Sequence, residues 1–191
     1  MRALLALDVA TKTGFAVYVG RRLMRVGVIR PLGAKGNWTR ETWAKDGAET
    51  VAKFTLADTW PSSPGVGAWR TFPGGMDIET ETVREACIMH GPSTVRSAEI
   101  CGRVDGIIEC LTGETPAKIS PSSWRRIIME SWNTGPWPAG RPAKKAKAAA
   151  ICVERLGLPD GLPDDVYDAA LIGAAHLLST GVGQDVTGWA V

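Results

Sequence analysis

The sequence predicts an α/β fold in which a central mixed sheet, its first three strands antiparallel, is flanked by helices. Three observations carry this expectation. Three short apolar runs open the chain, separated by turn residues (2–9, 15–19 and 23–29). Two further strand-like segments, 78–85 and 116–119, are each followed by a helical pattern. Two long helical spans, 142–156 and 163–178, close the sequence. At 191 residues and 45% hydrophobic content, one domain buries an adequate core without disulfides or a structural metal.

Taken in order, RALLALDV at 2–9 reads as a buried strand that ends on an acid, Asp8. The turn residues ATKTG lead into the run 15–19, and Gly20-Arg21-Arg22 turns the chain into 23–29, giving a hairpin extended by a third strand. After the glycine-rich stretch 33–37, residues 39–58 have helical composition, with apolar positions at Trp43, Val51, Phe54 and Leu56. Three prolines and four glycines make 61–75 a loop. IETETVRE at 78–85 alternates β-branched and charged residues, as a strand with one solvated face does. Gly91-Pro92-Ser93 opens a helix over 93–111 with a broad apolar face, in which Gly102 and Gly106 sit four apart and admit a close-packed backbone. Residues 116–119 form a short strand, 121–132 a helix begun by proline and serines, and NTGPWPAG at 133–140 a loop. The helix at 142–156 stops at Gly157, and the helix at 163–178 begins with two aspartates, which its dipole favours. Residues 1–180 are expected to form the domain and 181–191 a flexible tail.

Composition narrows the chemistry. The four cysteines form no CxxC pair and have no histidine at zinc-ligand spacing, so reduced structural thiols are expected. The apolar start is broken by Asp8, and no later stretch is long and apolar enough for a bilayer, which suggests a cytosolic address and no membrane partner. A net charge of +2 decides nothing, but between Lys118 and Lys147 seven basic residues face the single acid Glu130. Such a stretch can grip phosphates or simply be a solvated face.

An acid at the end of a buried strand is costly unless a cation or hydrogen bonds compensate it, so Asp8 asks for a partner. Glu79, Glu81 and Glu85 are all available on the later strand. Asp165 and Asp168 are three apart, on one face of a helix. Asp164 and Asp165 also suit the helix start, whereas Asp168 lies inside an apolar stretch that capping does not reach. Carboxylates brought together in this way repel one another, and oxygen-bound divalent cations are the usual remedy.

The ordered set LALDVATKTGFAV, EACIMHGP, GRVDGIIECL and DDVYDAALIGAAHLL resembles the successive motifs of RuvC-type Holliday-junction resolvases, especially the phage-encoded branch, and spans residues 4–178. The resemblance implies an RNase H-like fold and a bacterial or phage-infected host. It further implies a structure-specific endonuclease in which Asp8, Glu85, Asp165 and Asp168 hold two Mg²⁺ ions, with Mn²⁺ able to substitute. Glu85 is selected because it precedes Gly91 by six residues, as in the family pattern. RPAKKAKAAAICVERLGL is similar to the family's basic helix, which makes Lys144 the match for a lysine near the scissile phosphate. Arg125, Arg126, Arg141, Lys145 and Lys147 would then grip DNA. Cleavage would leave a 5′-phosphate and a 3′-hydroxyl, and the family implies a homodimer on a four-way junction, with the helix carrying Gly102 and Gly106 as the candidate dimer face. The first strand is also similar to that of YqgF-like nucleases acting on RNA, but the longer insert before Glu85 and the DDVYD helix start favour the resolvase. A catalytically silent branched-DNA-binding domain is a further alternative. A sugar-kinase or actin-like ATPase needs a second phosphate-binding lobe for which the chain has no room.

Overall fold

The computed structural model describes residues 2–10, 13–29, 79–87, 98, 101–102, 104–106, 108–109, 114–181 and 186–188. The helix expected at 39–58 and the loop at 61–75 lie outside the described residues.

Five strands, β1 (Arg2–Asp8), β2 (Thr13–Val19), β3 (Arg22–Ile29), β4 (Glu79–Glu85) and β5 (Ala117–Ile119), form one sheet in the order β3-β2-β1-β4-β5. The β1–β2 and β2–β3 pairs are antiparallel, and β1–β4 and β4–β5 are parallel. The expected mixed sheet with an antiparallel opening is thus present. The described helices are a segment holding 98, 101–102, 104–106 and 108–109, then α1 (Pro121–Trp132), α2 (Arg141–Leu156) and α3 (Asp164–Ser179).

Strand β1 is apolar from Ala3 to Leu7 because both faces of the sheet are covered there. Leu4 and Ala6 join Ala16, Tyr18 and Val83 under α1, α2 and α3, whereas Leu5 and Leu7 join Phe15 and Val17 against Val104 and Ile108 on the opposite face. The two-residue alternation of a strand therefore assigns Asp8 to the α3 face, in step with Leu4 and Ala6.

Helix α3 is the central helix of that face, buried along nearly its whole length from Val166 to Leu177. Its small residues let it lie close to the sheet. A Cβ on Gly173 would stand 2.5 Å from the Tyr18 ring and 2.9 Å from the Ala6 Cβ. The Tyr18 hydroxyl donates to the Ala170 carbonyl at 2.6 Å, tying β2 to α3. At the start of the helix, the Tyr167 hydroxyl donates to the Pro159 carbonyl at 2.8 Å and accepts from the Leu162 N–H at 3.0 Å, which fixes the turn that delivers Asp165 and Asp168.

Helix α1 begins where β5 ends. The Ser120 side chain accepts from the Ser123 N–H at 3.1 Å, the N-cap bond that Pro-Ser-Ser anticipates. Gly157 ends α2 in the left-handed conformation with φ 65°, as its position after the last apolar residue requires. Near the C-terminus, Thr187 bridges β3 in parallel with Arg22, its N–H donating to Arg21 and its carbonyl accepting from Leu23. The adjoining Val186 is buried. Among the described residues no helix is long and apolar enough to cross a membrane, and Cys87, Cys101 and Cys152 are free thiols.

Candidate active site

The sheet brings the ends of β1 and β4 side by side. Their parallel register pairs Leu7 with Arg84, so the next residues along, Asp8 and Glu85, are neighbours at the strand ends. Both lie in phase with residues of the α3 face. Glu81 shares that face but lies four residues back along β4, about 13 Å at the ordinary strand rise. There it meets His176, the two side chains 2.6 Å apart, so it belongs to the opposite end of α3. Glu79 is farther back still. Register and the His176 contact thus distinguish three glutamates that the strand pattern leaves equivalent.

The third wall is the first turn and a half of α3. Asp8 pairs across the hairpin with Gly14, and a Cβ on Gly14 would fall 1.8 Å from the Asp165 carbonyl oxygen and 2.9 Å from the Val166 nitrogen. Glycine at this position is what lets the helix start sit directly on β2, beside Asp8. The Thr13 hydroxyl donates to the Ala10 carbonyl at 3.1 Å, closing the chain between the two strands.

Asp8, Glu85, Asp165 and Asp168 therefore form one electrostatic unit. Burial pushes the Asp8 carboxyl well above its usual range, and the charges of Glu85, Asp168 and Asp165 push in the same direction against the opposing Lys145. Glu85 is raised too, first by burial and then by Asp168, while a bond from Trp124 and the charges of Arg125 and Lys145 restrain it. Asp168 is buried, at 5% exposure.

Among the described residues, Lys145 enters this cluster. The Lys145 ammonium, carried by α2, stands 2.5 Å from Asp168 Oδ2 and 3.9 Å from Asp165 Oδ1. Burial alone would lower its pKa, but the Asp168 bond and the charges of Asp168, Asp8 and Asp165 outweigh that and raise it. Helical periodicity does not separate Lys145 from Lys144, because both flank the buried stripe of Ala148, Ile151, Cys152 and Leu156. Lys145 lies on the Cys152 side, which is turned toward α3 and bonds the Tyr167 carbonyl.

The other basic residues divide by surroundings. Arg126 and Arg141 are exposed and Lys144 is half-buried. Arg125 lays its guanidinium 4.6 Å from the centroid of Trp124 and 5.8 Å from that of Trp137. Lys147 donates to the carbonyls of Thr134, Gly135 and Pro136, each at 2.8 Å. An ammonium has three N–H bonds, so this lysine secures the loop between α1 and α2 with all of them.

Four carboxylates gathered so closely that the charges of the others raise the proton affinity of Asp8 and Glu85 are the donor chemistry that a hard divalent cation takes. As the side chains stand, no three acidic, histidine or cysteine groups among the described residues enclose an ion. The Lys145 ammonium supplies the positive charge instead. The donor set fits a divalent ion in chemical kind, with the rotamers arranged around the lysine.

Two features escaped the sequence reading. Trp124, one of eight tryptophans, donates its indole N–H to Glu85 Oε2 at 2.8 Å. Behind the site, on the opposite face of the sheet, Arg84 makes a buried two-point bond to Asp105, Nε to Oδ1 at 2.5 Å and Nη2 to Oδ2 at 2.6 Å, and donates from Nη1 to the Glu85 carbonyl at 2.8 Å. Lys118 adds a 3.0 Å contact to Asp105. Strand alternation offered a signal for Arg84, since it points away from the acids on either side of it in the strand; nothing in the sequence singled out Trp124.

Among solved structures, the chain is similar to Thermus thermophilus RuvC in complex with a Holliday junction substrate, with TM-score 0.59 and 14% identity, covering 96% of this chain and 98% of that one. The fold is that of RuvC. A second Thermus thermophilus RuvC structure gives TM-score 0.57 at 14% identity, covering 95% of this chain and 97% of that one. No family model matches the sequence, and no curated protein matches it. The RuvC fold therefore persists here at an identity where only the architecture is shared in common, and the mixed sheet with flanking helices is its frame.

Proposed function

We propose that the chain is a divalent-metal-dependent endonuclease acting on branched DNA, with four-way junctions as its principal substrate. The observation that carries this reading is the meeting of Asp8, Glu85, Asp165 and Asp168 from β1, β4 and α3 around Lys145. The RuvC fold supports the choice of substrate, because the structure of similar fold is a complex with a Holliday junction.

The four carboxylates would hold two Mg²⁺ ions, with Mn²⁺ as a substitute. Bound there, the metal would activate a water and stabilise the leaving oxygen, giving a 5′-phosphate and a 3′-hydroxyl. The remaining work falls to the chain. Lys145 neutralises Asp165 and Asp168 until the cations arrive, and its ammonium is then free for a phosphate oxygen. Arg126 on α1 and Arg141 and Lys144 on α2 carry exposed or partly exposed positive charge that would position the DNA backbone without reading bases, so that branch shape would govern recognition. A homodimer would present two such sites to one junction. Gly102 and Gly106 are exposed, with open space where a Cβ would stand, and are the proposed place for a second backbone to approach.

The test is a cleavage assay on four-way, three-way, flap and linear DNA and on RNA hybrids, each in Mg²⁺ and in Mn²⁺. Asp8→Asn and Asp168→Asn are expected to bind junctions without cutting them. Absence of cutting on every branched substrate would refute the proposal, and preferential cutting of RNA would transfer the site to RNA processing.

A further inference from the structure

Trp124 is 0% exposed, yet its one polar atom is not spent on the core. It reaches Glu85, the acid whose strand, β4, pairs with β5. The local fold dictates this. Ile119 of β5 is the register partner of Glu85, and the Ala86 N–H donates to the Ile119 carbonyl at 2.8 Å. Ser120 caps α1 immediately afterwards, and the Trp124 N–H donates to the Ser120 carbonyl at 3.0 Å. Four residues lie between the strand partner of Glu85 and Trp124, and the Ser120 cap and the Trp124–Ser120 backbone bond hold them. The indole is held in turn by neighbours: Trp137 meets it edge-on at 5.4 Å between centroids, the Trp137 N–H donates to the Arg125 carbonyl at 2.8 Å, and the Arg125 guanidinium covers the Trp124 ring.

Resting on the metal-site reading above, we infer that Trp124 is a positioning residue for Glu85: its indole N–H, 2.8 Å from Oε2, fixes the carboxylate rotamer so that Oε1 is presented to the divalent ion. A carboxylate oxygen that already accepts one strong bond loses rotational freedom, and the rest of the group is preorganised. Partners of this kind typically change metal affinity by about 10- to 100-fold when removed. Phenylalanine would fill the core nearly as well as tryptophan, but only the indole carries the donor.

The experiment measures Mn²⁺ binding to the intact protein by calorimetry, without DNA, for the parent, Trp124→Phe and a protein carrying 3-benzothienylalanine at position 124. The last keeps the bicyclic shape and replaces the N–H with sulfur, so it answers the question even if Trp124→Phe does not fold. Both replacements are expected to weaken Mn²⁺ binding by about 10-fold or more, with the effect vanishing in a Glu85→Gln background. In the parent, the Trp124 indole N–H resonance is expected to shift on Mg²⁺ addition, and not to shift in Glu85→Gln. Parent-like affinity in the benzothienyl protein, or an equal loss in the Glu85→Gln background, would overturn the inference while leaving the nuclease reading intact. A parent protein that binds no divalent ion would overturn both.

Discussion

Replacing Gly14 by alanine tests whether close approach of α3 to β2 builds the site. In an ordinary strand this change stabilises by about 0.4–1 kcal/mol, because it restricts the unfolded chain. Here the new Cβ falls 1.8 Å from the Asp165 carbonyl oxygen, 2.3 Å from its carbon and 2.9 Å from the Val166 nitrogen, all backbone atoms that cannot swing aside. Such a contact relaxes near about 3.5 Å, so the helix start must withdraw by roughly 1.5 Å. Retreat is opposed by the Tyr18–Ala170 hydrogen bond and by the packing of Gly173 against Tyr18 and Ala6. Overpacking of this sort costs about 1–3 kcal/mol or more. At about 2–4 °C per kcal/mol for a chain of this size, the melting temperature is expected to fall by several degrees, up to about 12 °C. Asp165 would move with the helix start, and misplacement near 1 Å can cost about 100-fold in rate. Gly14→Ala should therefore melt earlier, and cut junctions about two orders of magnitude more slowly while still binding them. A variant that melts at or above the parent temperature and cuts at the parent rate would refute the geometric argument.

Asp8→Asn should raise the stability of the metal-free protein at neutral pH. The folded Asp8 carboxyl holds its proton more tightly than its unfolded counterpart at 3.8, so its contribution to stability falls as pH rises from there through the folded value. Thermal melts from pH 4 to 8 should show the parent losing ground to the variant, and Mn²⁺ should stabilise only the parent. Lys145→Met should lower metal-free stability, since Asp168 and Asp165 lose the Lys145 charge, and saturating Mn²⁺ should recover it; at about 100 times Kd, binding contributes roughly 2.7 kcal/mol. An equal melting temperature for parent and Lys145→Met without metal would count against the lysine as a counter-ion. Asp105→Asn leaves the buried Arg84 guanidinium opposite a neutral amide, and urea denaturation should register a loss of about 3 kcal/mol. Although burial opposes it, bonding to Arg84 and Lys118 holds the Asp105 carboxyl below its usual value. Its contribution is therefore present above pH 3.8 and lost as pH falls through the folded value, so the two proteins should converge in acid.

Local chemistry alone determined much of this protein. Strand period, turn residues and helix stops identify β1 to β5 and α1 to α3 to within a residue or two, because burial on both faces writes β1 as an apolar run and small residues write α3 as a buried helix. The acids at Asp8, Asp165 and Asp168 were legible for the same reason: each is a charge where the surrounding pattern calls for apolar residues or sits one helical turn from such a position. What needed tertiary structure were choices among chemically equal candidates. Glu79, Glu81 and Glu85 share one strand face, so family resemblance alone selects Glu85 from the sequence, and it is the β1–β4 register, with the His176 contact that occupies Glu81, that puts Glu85 beside Asp8. Lys144 and Lys145 flank one helical stripe, and only the position of α3 decides which ammonium meets the carboxylates. Trp124 reads as one more core aromatic until β5 and α1 bring its N–H to Glu85. A sequence records which residues can carry charge or donate a bond. Which of them meet across 39 or 23 residues of chain depends on register and helix packing, to which distant segments contribute equally.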